Sequence, residues 1–180
     1  KCVYPPGDAA TRVRDAVNAE LQSRGMQPDA KIFCELLAVA DESWQDCVEA
    51  CLGDRRFDIL VPPAHYAAAK SAFVALKDKV GPISLLDTPG LRKANRRADK
   101  YGPDSLAAQV SSENPLAAQY AQTILGRIVC CDTPDTLENY PDSATRDLLR
   151  HHPFRLERLR TPQRYIGLEA RRARAGALAG

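Results

Sequence analysis

Apolar residues recur at helical spacing near the start of the chain: Val13, Ala16, Val17 and Leu21 share one face of "DAATRVRDAVNAELQSRG". The pattern predicts a helix, with Asp8 as candidate N-cap and Gly25 as its stop. In "DESWQDCVEACLG" (41–53), Trp44, Cys47, Val48, Cys51 and Leu52 fall at i, i+3, i+4, i+7 and i+8, a second apolar stripe closed by Gly53. "RFDILVPP" then reads as a short buried strand stopped by prolines, "HYAAAKSAFVALKDKVG" as another helix and "PISLLD" as another strand. Helix, strand, helix, strand is the order of α/β layer packing.

A related unit returns downstream. "NPLAAQYAQTILG" repeats the amphipathic helix, with Leu116, Tyr120, Ile124 and Leu125 on its apolar side and Gly126 closing it. "RIVCCD" repeats the strand, and "TPDTLENY" the turn and short helix after it. The sequence therefore predicts a mixed α+β fold of two pseudo-repeated half-domains with short sheets and packed helices, joined by the polar connector "TPGLRKANRRADKYGPDS". Both ends read as stubs of longer helices; "YIGLEARRARAGALAG" takes an apolar step and becomes an Ala/Arg helix.

Of the candidate chemistry, "SLLDTPGL" (84–91) is the stretch that suggests a nucleotide site, because a GTPase ends a strand with Asp-x-x-Gly at its magnesium and γ-phosphate. A P-loop G-x-x-x-x-G-K-[ST] is missing from the sequence, as is a guanine-reading N/T-K-x-D. Asp87 is left without partners, and Thr88-Pro89-Gly90 reads as a turn in which Gly90 accepts positive φ. G-x-S-x-G, HExxH and G-x-G-x-x-G are missing too, and the three histidines, His65, His151 and His152, read as surface or capping residues. The six cysteines form no CxxC pair. Cys130-Cys131 reads as two strand residues or as a redox pair. No cofactor is expected, and the chain itself is read as no enzyme.

Charge adds one feature that the total hides. Residues 1–91 carry 10 basic and 13 acidic groups, and residues 101–145 carry 1 and 6, so the positive charge sits in two clusters. One is "RKANRRADK" (92–100); the other is the stretch from Arg146 onward, with nine Arg against three acidic residues. Each reads either as an electrostatic footprint for nucleic acid or as a solvated face. With 44% hydrophobic and 27% charged residues and no apolar run near the ~20 needed to span a bilayer, a soluble, cytoplasmic protein with no membrane partner is expected.

"CELLAVADESWQDCVEACLGDRRFDILVPPAHYAAAKSAFVALK" resembles the first half of an SMC hinge domain, in which a helix ending in Leu-Gly precedes a strand and a further helix. The second half resembles more narrowly the hinge of the MksB/MukB-like SMC ATPases, including the large ATPase subunit of the Wadjet plasmid-defence system: "VCCDT", the step Asp142-Ser143-Ala144-Thr145 and a final "YIG" come in that order. The resemblance covers about residues 31–170. The chain departs from the common hinge in lacking a glycine-rich stretch late in the second half, where Gly126 and Gly167 remain.

The resemblance implies a mid-chain fragment of a DNA-organising ATPase, near the nucleoid or a plasmid, with kleisin and accessory subunits as partners of the parent. It divides the chain into an N-terminal arm stub (1–30), a first half with the basic connector (31–100), a second half (101–168) and the start of a C-terminal arm helix (169–180). Two hinges would pair as a homodimer through sheet edges. The edge candidates are Ile128, Val129, Cys130 and Cys131 with Phe154, Leu156 and Leu159 of "FRLERLR". DNA would be held by backbone contacts of Arg92, Lys93, Arg96, Arg97 and Lys100 in the connector, and of Arg155, Arg158, Arg160, Arg164, Arg171 and Arg172 near the arm junction. The arm arginines read equally as partners of acidic residues. The alternative functions are a small α/β enzyme and a standalone nucleic-acid-binding module.

Overall fold

The computed structural model describes residues 2–5, 7–94 and 101–177. Helix α1 (Ala9–Ser23) forms where Val13, Val17 and Leu21 repeat every four residues; all three are fully buried, and Gly25 ends the helix at φ 71°. Asp8 precedes it without capping an amide of the first turn: its carboxylate accepts from the Tyr4 N–H and the Thr11 hydroxyl. Although expected within an arm stub, α1 packs into the common core against α3 (Tyr66–Ala75).

The rest of the first half is a run of short elements: β1 (Lys31–Ile32), a 3-10 turn over Phe33–Leu36, β2 (Ala38–Val39), α2 (Gln45–Leu52) and β3 (Ile59–Leu60). On α2, Cys47, Val48 and Leu52 are buried beside Trp44, Cys51 is half-buried, and Gly53 closes the helix at φ 55°, as the spacing predicts. β3 pairs antiparallel with β1. The strand expected in "PISLLD" shrinks to one parallel bridge, Ile59 to Leu85, because the chain turns at once into α4 (Thr88–Ala94). "DTPG" is therefore the start of a helix and not a free turn. Asp87 Oδ1 accepts from the Gly90 N–H at 3.0 Å, and a Cβ on Gly90 would stand 2.3 Å from that carboxylate. Gly90 does not need a positive φ; a side chain there would have to displace the Asp87 carboxylate from its bond.

The second half repeats this order. A 3-10 turn over Leu106–Gln109 leads to β4 (Val110–Ser111), α5 (Pro115–Leu125) and β5 (Val129–Cys131), followed by a 3-10 turn over Pro134–Asn139 and β6 (Ser143–Thr145). Asn114 caps α5 by accepting from the Leu116 and Ala117 N–H groups at 3.0 and 3.1 Å. Gly126 keeps helical φ, and the Tyr101 ring lies where its Cβ would stand, so close packing and not capping demands the glycine.

The two halves thus share more than a helix and a strand. In each, a short antiparallel partner (β1, or Ser105) lies on one side of the middle strand (β3, or β5) and a parallel one (Leu85, or β6) on the other. β2 pairs with β4 across the pseudo-two-fold axis, and α2 packs on α5. Beyond the repeat, the second half adds the hairpin β7 (Leu149–His152) and β8 (Arg155–Arg158), which completes a four-stranded sheet in the order β5-β6-β7-β8. Helix α6 (Leu168–Ala177) follows and buries none of its residues. No helix among the described residues is long and apolar enough to cross a membrane.

A polar bond between α5 and the end of the turn before β3 joins the two halves inside this core. Asp58, 5% exposed, accepts from the Tyr120 hydroxyl at 2.8 Å, and burial pushes its carboxyl up from the ordinary 3.8 to about 6. The folded chain therefore holds the Asp58 proton more tightly than the unfolded chain. Its stabilising share is full below about pH 4 and is lost as pH rises through about 6. Asp58→Asn, which keeps an acceptor for Tyr120, is expected to raise stability by about 1–2 kcal/mol at pH 7.5 after allowing for solvent screening. It should change little at pH 4. Urea unfolding at the two pH values checks this, and an equal gain at both would remove Asp58 from the account.

Candidate functional site

Two places stand out: the outer edge of the four-stranded sheet, and the junction where the chain enters and leaves. β5 is no open edge. It pairs with β6 on one side, and on the other the Cys130 N–H donates to Asp104 O and the Leu106 N–H to Ile128 O, both at 2.7 Å. Of the four residues expected to form an interface there, Ile128 and Cys131 are buried and belong to the interior, while Val129 and Cys130 are half-buried. Burial pushes the Cys130 thiol up to about 12, which favours its protonated form.

The open edge is β8. Among the described residues no strand pairs with its outer side. Side chains alternate across it: Arg155 and Glu157 share a face with His152 and Arg150, while Leu156 and Arg158 share the other with His151 and Leu149. On the first face Glu157 lies 2.8 Å from His152 Nε2, the contact that chiefly holds its carboxyl below the usual range, and accepts from Arg155 at 3.0 Å, which adds to it. Leu156, on the second, is 56% exposed. Leu159 folds back and packs on the core.

Phe154 sits at the tip of the hairpin. Its side chain is completely exposed, and its backbone takes φ 67°, a region where a bulky residue is strained. Pro153 beside it lines a groove of about 660 Å³ with Tyr101, Val129, Tyr140 and Pro141. Exposed apolar side chains, an unpaired edge and local strain coincide at one end of the sheet.

At the junction the polar groups are inside. Glu49 on α2 is fully buried: Oε1 accepts from the Tyr165 and Ile166 N–H groups, each at 2.7 Å, and from Gln45 at 3.0 Å, while Oε2 accepts from Arg56 at 2.6 Å. Arg56 also donates to the carbonyls of Gly53 and Gln163 and lies over the rings of Phe57 and Tyr165. Tyr4 completes this group, with ring centroids 5.7 Å from Phe57 and 5.6 Å from Tyr165. The segments that lead into α1 and α6 thus meet on one buried cluster. Sequence reading missed Glu49 and Arg56, since a charge beside an apolar stripe normally faces water; Gln45 and Glu49 at i, i+4 are the sole local hint.

The arginines are distributed differently from the expectation of one basic surface. Arg164 is held by Asp46 at 2.7 Å and Glu42 at 3.1 Å, Arg155 by Glu157, and Arg158 donates to Asp147 O. Arg171 donates to the carbonyls of Cys34 and Tyr165, and Arg172 lies 3.8 Å from Glu169. Arg92, Lys93 and Arg160 are exposed and form no ion pair with a described residue. Arg96, Arg97 and Lys100 lie outside the described residues.

The fold and the edge define the class: a two-halved α+β module, with a pseudo-two-fold at its centre and an unpaired sheet edge on one half. Residues 29–140 match the family model for the flexible hinge domain of SMC proteins, and the chain belongs to that family. The fold is similar to the SMC hinge domain of Pyrococcus furiosus, with a TM-score of 0.53 and 16% identity over 83% of this chain and 88% of that one. It is also similar to an asymmetric dimer of the SMC hinge domain of Geobacillus stearothermophilus, with a TM-score of 0.56 and 17% identity over 91% and 71%. A structure of the folded elbow of cohesin matches with a TM-score of 0.58 and 14% identity over 96% of this chain and 28% of the other. No curated protein matches the chain.

Proposed function

We propose that this chain is a dimerisation module that joins two copies of its parent through the outer edge of β8 and the tip of the β7–β8 hairpin. The observation that carries the reading is the coincidence of an unpaired edge with Phe154 fully exposed and Leu156 half-exposed at its end. Backbone bonds along the edge and burial of these side chains would supply the association. The resemblance to a hinge solved as a dimer supports it. Light scattering behind a sizing column tests it: across micromolar concentrations the expected mass is near twice 19.7 kDa. A mass that stays at 19.7 kDa throughout that range would refute it.

The parent on this reading is an SMC-type ATPase that organises DNA, with a kleisin and accessory subunits acting on other parts of it. Tyr4 and Tyr165 in one cluster favour two arms rooted side by side at the two ends of the described chain. "VCCDT", "DSAT" and "YIG" favour the MksB/MukB-like group, including Wadjet, and with it a place at the nucleoid or a plasmid. DNA would meet the connector side through Arg92 and Lys93, with Arg160 on the hairpin side, as salt-sensitive phosphate contacts.

A further inference from the structure

The segment between β8 and α6 is held in an unusual way. It is a strap, Gln163–Ile166, whose backbone is bound by side chains of the first half, more than a hundred residues away in sequence. Glu49 takes two consecutive N–H groups, Gln45 Nε2 donates to Ile166 O at 3.1 Å, and Arg56 donates to Gln163 O at 2.7 Å. Arg164, within the strap, grips Asp46 and Glu42. Glu42, Gln45, Asp46 and Glu49 all lie on α2 or the turn leading into it, so one helix face supplies nearly the whole grip. Tyr165 and Ile166 are the only strap residues buried in the core.

Immediately beyond the strap comes Gly167, at φ 92° with open space where a Cβ would stand, and then α6, which has Ala170, Arg171, Arg174 and Ala175 half-buried and no residue fully buried. The hydrogen bonds from α6 side chains back to the described body come from Arg171, whose guanidinium reaches Cys34 O at 3.5 Å and Tyr165 O at 3.2 Å. A grip centred on one face of α2, a glycine pivot and a helix with no fully buried residue form a mechanical series.

We propose that Glu49 is the latch of this strap: the strap closes on α2 and opens from it as a unit of its own, switching α6 between a docked and a released position while the body stays folded. The device lies within one chain, so it stands or falls apart from self-association. Opening breaks the bonds to Glu49, Gln45 and Arg56 and the Arg164 ion pairs, draws Tyr165 and Ile166 out of the core, and lets water reach the carboxylate and guanidinium together, so neither charge is left dry and alone. Local openings of this kind are cooperative units below the global transition.

Native-state hydrogen exchange on the whole chain, followed against low concentrations of denaturant, reads the device directly. The Tyr165 and Ile166 amides, bonded to Glu49, report the strap; the Leu106 and Cys130 amides, bonded across the second half, report the body. The expected result is that the strap amides exchange through an opening with little denaturant dependence. Glu49→Gln should then speed them about 10- to 100-fold more than the body amides, the effect of weakening two bonds to a charged acceptor. The inference is overturned if strap and body amides share one opening with the same denaturant slope and the variant shifts both by the same factor. Should Glu49→Gln not fold, the slopes in the unmodified chain decide alone.

Discussion

Replacing Arg56 with alanine is expected to cost about 3–5 kcal/mol of stability, the largest loss from any single substitution outside the apolar core. Arg56 is 8% exposed, and among the described residues its guanidinium is the sole cation on the fully buried Glu49 carboxylate. Removing it leaves that carboxylate with three N–H donors and no counter-charge, strips two carbonyls of their donor and vacates the space against Phe57 and Tyr165. Urea unfolding gives the loss. The paired replacement Glu49→Met with Arg56→Met should be far milder than Arg56→Ala alone, because a buried ion pair costs most when one partner is removed. A latch at Glu49 sets a ceiling on the loss, since a released strap hydrates the carboxylate. A smaller loss therefore fits if the Tyr165 and Ile166 amides have become unprotected. A loss under about 1 kcal/mol with those amides still protected would contradict the role given to Arg56.

The second large effect falls on association. Phe154→Gly combined with Leu156→Ser removes both exposed apolar side chains of the hairpin and is expected to weaken self-association about 100- to 1,000-fold, as for two anchors of a few kcal/mol together. Sedimentation equilibrium measures it. The same site carries a test of opposite sign. Phe154 takes φ 67°, which glycine adopts without strain, so the monomer of Phe154→Gly should be more stable than that of Phe154→Ala by about 1 kcal/mol. A residue that weakens its own fold and strengthens association is placed for association. If both variants dimerise as tightly as the unmodified chain, the hairpin tip is not the interface.

The parts legible in the sequence share a property. Val13, Val17 and Leu21, or Trp44, Cys47, Val48 and Leu52, sit three or four apart, and that spacing carries both the helix and its buried face. The repeat was legible for the same reason, since α2–Gly–β3 and α5–Gly–β5 each carry their own local pattern. Asp87-Thr88-Pro89-Gly90 shows the limit: Pro and Gly suit a turn and the start of a helix alike, and the Asp87 carboxylate against Gly90 decides between them. In the same way "RIVCCD" reads as a strand, but nothing in those six residues tells whether its outer side meets water or the backbone of Asp104 and Leu106.

The sequence by itself determined the main helices and their apolar faces, the two-halved plan and the absence of a P-loop motif from these 180 residues. The tertiary structure alone decided that β8 and not β5 is the open edge, that Arg164 and Arg171 are occupied, and that Glu49 and Arg56 lie inside. The physical reason is range. Helical and strand periodicity is written in neighbours a few residues apart, whereas the partners of a sheet edge or a buried charge arrive from far along the chain, as Tyr165 reaches Glu49 across 116 residues. Only the closed fold brings them within a hydrogen bond.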